Sequence, residues 1–305
     1  MTQPHSEGGG FAGGGDFAGG RGRFRGREGV EFGQIGLSSP HEPVGFGPNI
    51  ERTMQILLAN AKTMNRDAGR AAVSVPRFQA VANELAAAMA QLDVDELAEQ
   101  LDCSRKLAAE NWQRFQQFHA APTLPALLAY NGQAYKHLRA ATLSDGALRF
   151  AQDHLWITCF LYGLLRPLDA IVPYRMEHCV SLPQTGGRPV QFFWKDKLTD
   201  VLLESVAADD GVLLHLSTAE YEHLFDWKRV CAAVRVVHPL FYVRQPDGRL
   251  RMQAVWAKSC RGAMVRHVLE RGISSPDALR DFSYEGFRFS PIHGDPLFPH
   301  FIRER

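Results

Sequence analysis

The sequence predicts an α+β protein: a single compact domain in which a central mixed sheet is flanked by helices. Short apolar runs of strand length occur along the chain, amphipathic helical patterns separate them, and the two do not alternate strictly as they would in a doubly wound parallel sheet. The predicted domain covers residues 54–290, between an N-terminal arm of residues 1–53 and a C-terminal tail of residues 291–305.

The arm is predicted to be disordered. More than half of the 27 glycines fall in the first 50 residues, which offer no periodic apolar face to offset glycine's backbone entropy. Residues 21–27, RGRFRGR, resemble an arginine- and glycine-rich nucleic-acid tail, but acidic residues nearby balance their charge. A nucleic-acid-binding tail, a solvated tail and a segment foreign to the native protein are all open alternatives.

Composition narrows the class of protein. The net charge of +1 excludes a polycation of the histone kind, while a local basic patch stays compatible with it. The five cysteines form no C-x-x-C pair, which is typical of reduced thiols and offers no zinc site. No apolar run is long enough to span a membrane, and the N-terminus lacks a secretion signal. We therefore expect a cytoplasmic protein without membrane contact, metal site or cofactor.

A buried strand opens the predicted domain. Residues 54–59 form a short apolar run, and the polar loop behind them carries Lys62 and Thr63. A lysine in this position is as often a binding residue as a merely solvated one. A helix follows, because Val81 and Leu85 recur at helical spacing with further apolar residues.

Two more helices come next, over residues 94–101 and from Ser104 to about residue 119. Asp93 or Asp95 is placed to cap the first, and Ser104 to cap the second. Together they form the best candidate for a helix-hairpin-helix element.

In such an element, backbone N–H groups at the start of the second helix bind phosphate, helped here by Arg105 and Lys106. The turn at residues 102–104 lacks the usual glycine, so an ordinary helical corner is the alternative.

The middle of the chain is predicted to mix short strands and helices. Residues 127–130 indicate a buried strand before the Asn131-Gly132 turn. Helices follow over residues 133–140 and 145–154, and they lead into the apolar run of residues 156–162.

The C-terminal part adds a strand, a hairpin and two helices. A Pro-Asp-Gly turn at residues 246–248 between two apolar stretches is a strong hairpin signal. The predicted bounds are helices over residues 189–206 and 258–271, the second ended by Gly272, a strand over residues 212–216, and hairpin arms in residues 231–244 and 249–257.

Two segments concentrate charge next to loops. A proline-stiffened loop carries Arg166, Asp169, Tyr174, Arg175 and Glu177. It fits either a preorganised binding site or a scaffold of salt bridges that pins the loop.

The second segment is the last predicted helix. Its first turns carry Lys258, Arg261 and Arg266, where the macrodipole disfavours cations and a bound anion would relieve the penalty. The same cations single out Cys260 as the cysteine to expect as peroxide-reactive.

Seven blocks, in order, resemble the YaaA family of cytoplasmic peroxide-stress resistance proteins. They are MQILLANAKTMN from Met54, AYNG from Ala129, HLWITCFLYGLLRPLD from His154, PYRME from Pro173, LSTAEY from Leu216, AKSCRG from Ala257 and YEG from Tyr284. The resemblance covers about residues 54–289. The chain departs from the family pattern at residues 59–60, at Gln133 and at residues 158–160.

The resemblance implies a protein that helps cells survive hydrogen peroxide, keeps intracellular free iron low and limits oxidative damage to DNA and protein. It implies a compact α+β body with a positively charged cleft, a helix-hairpin-helix element, and binding to duplex or branched DNA, mainly through phosphates. It establishes no enzymatic reaction and no oligomeric state.

Candidate site residues follow from the charged segments and the resemblance together. Those expected to bind DNA or another anion are Lys62, Arg105, Lys106, Arg166, Arg175, Lys258, Arg261 and Arg266. Those expected to line the cleft are Thr63, Tyr162, Asp169, Tyr174, Glu177, Glu220 and Glu285. The alternative is an enzyme that acts on a small phosphorylated or carboxylated substrate, which a cleft narrower than a duplex favours. Direct metal binding is disfavoured, because the 12 histidines are scattered.

Overall fold

The computed structural model describes residues 52–304, which fold around two five-stranded sheets. In chain order the strands are β1 (Gln55–Ala59), β2 (Leu124–Pro125), β3 (Leu155–Cys159), β4 (Gly163–Leu165), β5 (Ala170–Ile171), β6 (Val212–Leu216), β7 (Arg235–Val237), β8 (Leu240–Arg244), β9 (Leu250–Arg251), β10 (Ser283–Tyr284), β11 (Phe287–Gly294) and β12 (Pro299–Arg303). The helices are α1 (Gln79–Gln91), α2 (Val94–Gln100), α3 (Arg105–Gln116), α4 (Ala126–Ala129), α5 (Gln133–Leu138), α6 (Asp145–His154), α7 (Val190–Phe193), α8 (Lys195–Ala208), α9 (Ala219–Glu222), α10 (Trp227–Ala233) and α11 (Ala254–Arg271).

The central sheet is mixed, as the sequence predicts. Its strand order is β4-β3-β1-β6-β7; β3, β1, β6 and β7 are parallel, whereas β4 pairs antiparallel with β3. Strands β3, β1 and β6 are buried along almost their whole length, which explains why their sequences are continuous apolar runs. Because β1 lies between β3 and β6, the loops that follow β1 and β6 meet at one edge of the sheet.

The second sheet has the order β10-β11-β12-β8-β9 and is antiparallel except where β12 runs parallel to β8. Residues 291–305, the predicted C-terminal tail, include the end of β11 and all of β12. Phe301 in β12 is fully buried. The folded region therefore extends through residue 303.

The Pro246-Asp-Gly248 turn joins β8 to β9, and Gly248 adopts a φ of 80°, which glycine allows without a steric penalty. The arms of this hairpin are shorter than predicted. Residues 231–233 belong to α10 and residues 254–257 to α11, because an apolar pattern beside a turn does not by itself separate a strand from a helix.

Capping explains the helices that the sequence places well. The Asp93 side chain accepts hydrogen bonds from the backbone N–H groups of Asp95 and Glu96 in a capping box, and Ser104 caps α3.

The predicted strand at residues 127–130 is wrong. These residues mostly form the short helix α4, since so short a buried apolar run suits either structure.

Helix α11 begins at Ala254, four residues before the predicted start. Its beginning carries no side-chain cap, so the sequence holds no capping signal there. Lys258 therefore lies in the second turn and Arg261 in the third. The expectation that the macrodipole destabilises these cations is corrected, because that effect fades beyond the first turn.

Helices α5 and α11 pack with unusually close backbones. A Cβ added at Gly262 would lie 2.6 Å from the carbonyl carbon of Ala134, so only glycine permits this approach.

Residues 1–51, and with them nearly all of the predicted arm, lie outside the described part of the chain. None of the helices within residues 52–304 combines the length and the apolar character needed to cross a bilayer.

Candidate functional site

A cleft opens at the carboxyl ends of β1 and β6. The loop after β1, the loop after β6, the start of α5 and the middle of α11 line it. It encloses about 540 Å³, which lies within the range of roughly 300–1,000 Å³ for small-molecule sites. Folds with parallel strands commonly bind ligands at this edge of the sheet. We call it the β1–β6 cleft.

Buried phenols fix the loop after β1. The Tyr221 hydroxyl donates a hydrogen bond to Asn60 Oδ1, Asn60 Nδ2 donates to the Tyr174 hydroxyl at 3.4 Å, and the Tyr135 hydroxyl donates to the carbonyl oxygen of Ala59 at 3.0 Å. Burial raises the pKa of all three tyrosines well above the ordinary value, so they stay protonated. This side of the cleft is therefore held by neutral hydrogen bonds.

Glu177 joins two of the predicted cations. Its buried carboxylate lies 2.5 Å from Lys62 Nζ and 2.6 Å from Arg175 Nη2. Lys62 itself is exposed at the cleft, whereas Arg175 is largely buried. Because one carboxylate balances only one of two cations, the trio keeps a net positive charge.

Arg261 is the least compensated charge of the cleft. It lines the cleft and is 9% exposed. Within residues 52–304 it forms no ion pair, and its Nε has no hydrogen-bond partner. Burial lowers the pKa of the guanidinium. A buried cation without a counter-charge is costly, so an anion bound in the cleft would supply its missing partner.

Sequence comparison decides the family. A family model described as peroxide stress protein YaaA matches residues 54–293. The chain belongs to this family. A UPF0246 protein of Bacteroides thetaiotaomicron is 44% identical over 247 residues, 79% of this chain and 95% of that protein. UPF0246 proteins of Porphyromonas gingivalis (43% over 247 residues; 79% and 96%) and Dinoroseobacter shibae (35% over 256 residues; 82% and 95%) are similar along nearly their whole length.

The structure of this YaaA-family chain brings part of the predicted site together. Of the predicted site residues, five line the cleft: Lys62, Thr63, Glu220, Lys258 and Arg261. Tyr174, Arg175 and Glu177 lie behind them and reach the cleft through the hydrogen bond and ion pairs described above. Lys258 is exposed one turn before Arg261, on the same helix.

Arg166 and Asp169 do not join this site. Arg166 lies in a groove at the other end of β1 together with Gln55, and its guanidinium stacks 3.4 Å from the Trp156 ring centroid. Burial lowers the pKa of Arg166 to about 10. Asp169 accepts hydrogen bonds from the Arg166 backbone N–H and the Ser74 hydroxyl, both at 2.7 Å. Arg166 does not share the rim on which Lys62, Lys258 and Arg261 lie, because the loop that carries it follows an antiparallel strand.

Three further candidates have local roles. Tyr162 is fully buried, and its hydroxyl accepts a backbone hydrogen bond. Arg266 donates to the carbonyl oxygen of Leu138 at 3.0 Å and pairs with Glu270, so it ties α11 to the end of α5. Glu285 lies in the β10–β11 turn and lines a separate groove with Arg266.

The predicted helix-hairpin-helix residues lie on the surface. Helices α2 and α3 are joined by residues 101–104 and contact each other, and Arg105 and Lys106 are exposed on the first turn of α3. Arg105 Nε lies 2.6 Å from Asp95 Oδ1 of α2. Phosphate binding by this hairpin stays a prediction.

Sequence reasoning missed one cluster of metal-ligand side chains. His215 of β6, Glu222 of α9 and His238, which follows β7, each offer a ligand atom within 4.8 Å of the others. Burial lowers the pKa of His215 and brings that of His238 to about 3, with help from the neighbouring imidazole and from Arg261. The three side chains come from separate elements, so no local spacing in the sequence indicates a metal site.

The burial of Cys260 overturns the sequence-based argument for its reactivity with peroxide. All five cysteines are free thiols, but Cys260 is fully buried, and burial raises its pKa to about 12. We expect mild hydrogen peroxide to oxidise exposed Cys179 and Cys231 before Cys260, because the thiolate at the surface is the reactive species. Mass spectrometry of the treated protein measures this. Sulfenic acid at Cys260 while Cys179 stays reduced would contradict the assignment.

Proposed function

We propose that the protein defends cells against hydrogen peroxide by keeping free iron low and limiting oxidative damage to DNA and protein, and that it does so through a small phosphorylated or carboxylated ligand in the β1–β6 cleft. Membership of the YaaA peroxide stress family supports the defence against hydrogen peroxide. The observation that carries the ligand in the cleft is the buried guanidinium of Arg261, which lines the cleft without a counter-charge among the described residues.

Charge and size both favour a small anion. Lys62, Lys258 and Arg261 line the cleft beside Glu220, and Glu177 behind them pairs with Lys62. A guanidinium matches phosphate and carboxylate oxygens with two parallel hydrogen bonds. The cleft volume of about 540 Å³ suits a small molecule, for which sites of roughly 300–1,000 Å³ are usual.

Binding to DNA is the second candidate, and the α2–α3 hairpin favours it. The start of α3 presents backbone N–H groups beside exposed Arg105 and Lys106, an arrangement suited to phosphate. The Arg105–Asp95 pair is exposed on both sides, so it is weak enough for a phosphate to compete. DNA binding at this hairpin leaves the cleft free for the small ligand.

One set of variants separates the two sites. We expect Lys106→Ala to weaken binding to duplex and branched DNA for all sequences alike and to reduce the salt slope by about one unit, because one phosphate contact is lost. Lys258→Ala is expected to leave DNA binding unchanged but to abolish protection of cells from hydrogen peroxide. DNA titrations at two salt concentrations and survival assays measure both effects.

Lys228→Ala is the matched control, since Lys228 is an exposed lysine on α10 that neither lines the cleft nor belongs to α2 or α3. It should behave as wild type in every assay. A weaker and less salt-dependent DNA affinity of Lys258→Ala would place DNA in the cleft instead. Full peroxide protection by Lys258→Ala would refute the role of the cleft.

A further inference from the structure

We infer that His215, Glu222 and His238 form a binding site for one divalent transition-metal ion. One ligand atom of each residue lies within 4.8 Å of the other two. Two imidazole nitrogens and a carboxylate oxygen are a donor set that suits ions such as Zn²⁺ and Fe²⁺. His215, Glu222 and His238 are not among the described residues that line the β1–β6 cleft.

The distances require little rearrangement. His215 Nε2 lies 3.0 Å from Glu222 Oε1. Two ligands bound to one metal at roughly 2.0–2.1 Å lie about 3 Å apart, so this pair is already at the spacing of a shared ion. The His238 ring centroid lies 4.5 Å from that of His215. Small side-chain movements therefore bring the third ligand in.

The imidazoles are held in place but incompletely satisfied. The His215 ring packs 4.7 Å from Trp227, and the His238 ring 6.3 Å from Phe298. His215 Nδ1 and His238 Nε2 are buried and have no hydrogen-bond partner among the described residues. Buried polar atoms in folded proteins are nearly always partnered, so the orphan His238 Nε2 points to a ligand that completes the pair of His215 Nε2 and Glu222.

The charges around the cluster determine which further ligand the bound ion would accept at its open positions. Glu222 supplies one negative charge, whereas Arg261 lies close enough for its positive charge to lower the pKa of both histidines. Three protein ligands leave open positions on the ion. The ion and Arg261 together then favour water or an anion at those positions over a further cationic group.

Metal titration of the full chain tests the site. The chelator-treated protein is titrated with Zn²⁺, with Fe²⁺ under anaerobic conditions, and with Co²⁺ as a spectroscopic probe. We expect one ion per chain in the wild type. Glu222→Gln and His238→Ala should each weaken the affinity at least about 10- to 100-fold, since even residues that only orient a ligand cost that much.

His223→Ala is the matched control, because His223 is exposed and adjacent to Glu222 but lies outside the cluster. Melting curves check that every variant folds, and Zn²⁺ should raise the midpoint of the wild type and His223→Ala but not of Glu222→Gln. Should His238→Ala fail to fold, Glu222→Gln decides, as its side chain is partly exposed. A wild type that binds no stoichiometric ion, or a Glu222→Gln variant with wild-type affinity, overturns the inference.

Discussion

Replacing Arg261 by methionine is expected to weaken anion binding in the β1–β6 cleft strongly and at the same time to make the protein more stable. The guanidinium is buried, and its Nε has no partner within residues 52–304. Removing an uncompensated buried charge in favour of an apolar side chain of similar length should stabilise the fold by about 1 kcal/mol or more. For a protein of this size that raises the melting temperature by at least about 2–4 °C.

The loss of binding is the larger effect. A charge-assisted hydrogen bond contributes roughly 1.5–3 kcal/mol, so the affinity for inorganic phosphate should fall about 10- to 100-fold. Calorimetric titration with phosphate and citrate, together with melting curves, measures both changes. Opposite effects on binding and stability are the signature of a residue kept for its ligand.

Lys258→Met serves as the control for Arg261→Met. Lys258 lines the same cleft from the preceding turn of α11 but is exposed. Its replacement should weaken phosphate binding without raising the melting temperature, because an exposed ammonium is already solvated. An Arg261→Met variant that melts below the wild type would show that the guanidinium is compensated in solution, and the argument for an anion in the cleft would fail.

Gly262→Ala is expected to destabilise the protein by about 3 kcal/mol or more, the range of severe overpacking. The added Cβ would lie 2.6 Å from the carbonyl carbon and 2.9 Å from the Cα of Ala134, and both are backbone atoms that cannot rotate away. Helices α5 and α11 must therefore separate. Since both helices line the β1–β6 cleft, ligand affinity should fall together with stability.

Gly146→Ala provides the matched comparison. Gly146 also lies inside a helix, α6, but the nearest atom to its added Cβ is 3.8 Å away. Alanine should stabilise that helix by up to about 1 kcal/mol. Denaturant unfolding of the two variants gives both free energies. Equal stabilities for Gly262→Ala and Gly146→Ala would mean that the approach of α5 to α11 is looser than described.

The elements that sequence reasoning placed well carry their signals within a few residues. Asp93 and Ser104 cap helices that begin at the next residue, and the Pro246-Asp-Gly248 turn joins two strands. The errors occur where such local signals are missing. Helix α11 starts without a side-chain cap, and the apolar run before Asn131 is too short to separate a strand from α4.

The candidate site was likewise predicted in part: its residue types came from the sequence, and its contacts came from the structure. The residue types and their order identified the family and marked Lys62, Lys258 and Arg261 as cations beside buried elements. The side chains that these cations contact in the folded protein could not be predicted from the sequence. Glu177 neutralises part of the charge on Lys62, and Arg166 stacks on Trp156 at the other end of the sheet.

The sequence by itself therefore determined the fold class, the family and the residue types available to bind an anion, because these depend on short patterns and their succession along the chain. The tertiary structure alone decided that Arg261 is buried without a counter-charge among the described residues, that Arg166 lies away from the cleft, and that His215, Glu222 and His238 meet. Burial and charge–charge distances depend on which elements pack together. Residues remote in the sequence set them, and no local pattern records such contacts.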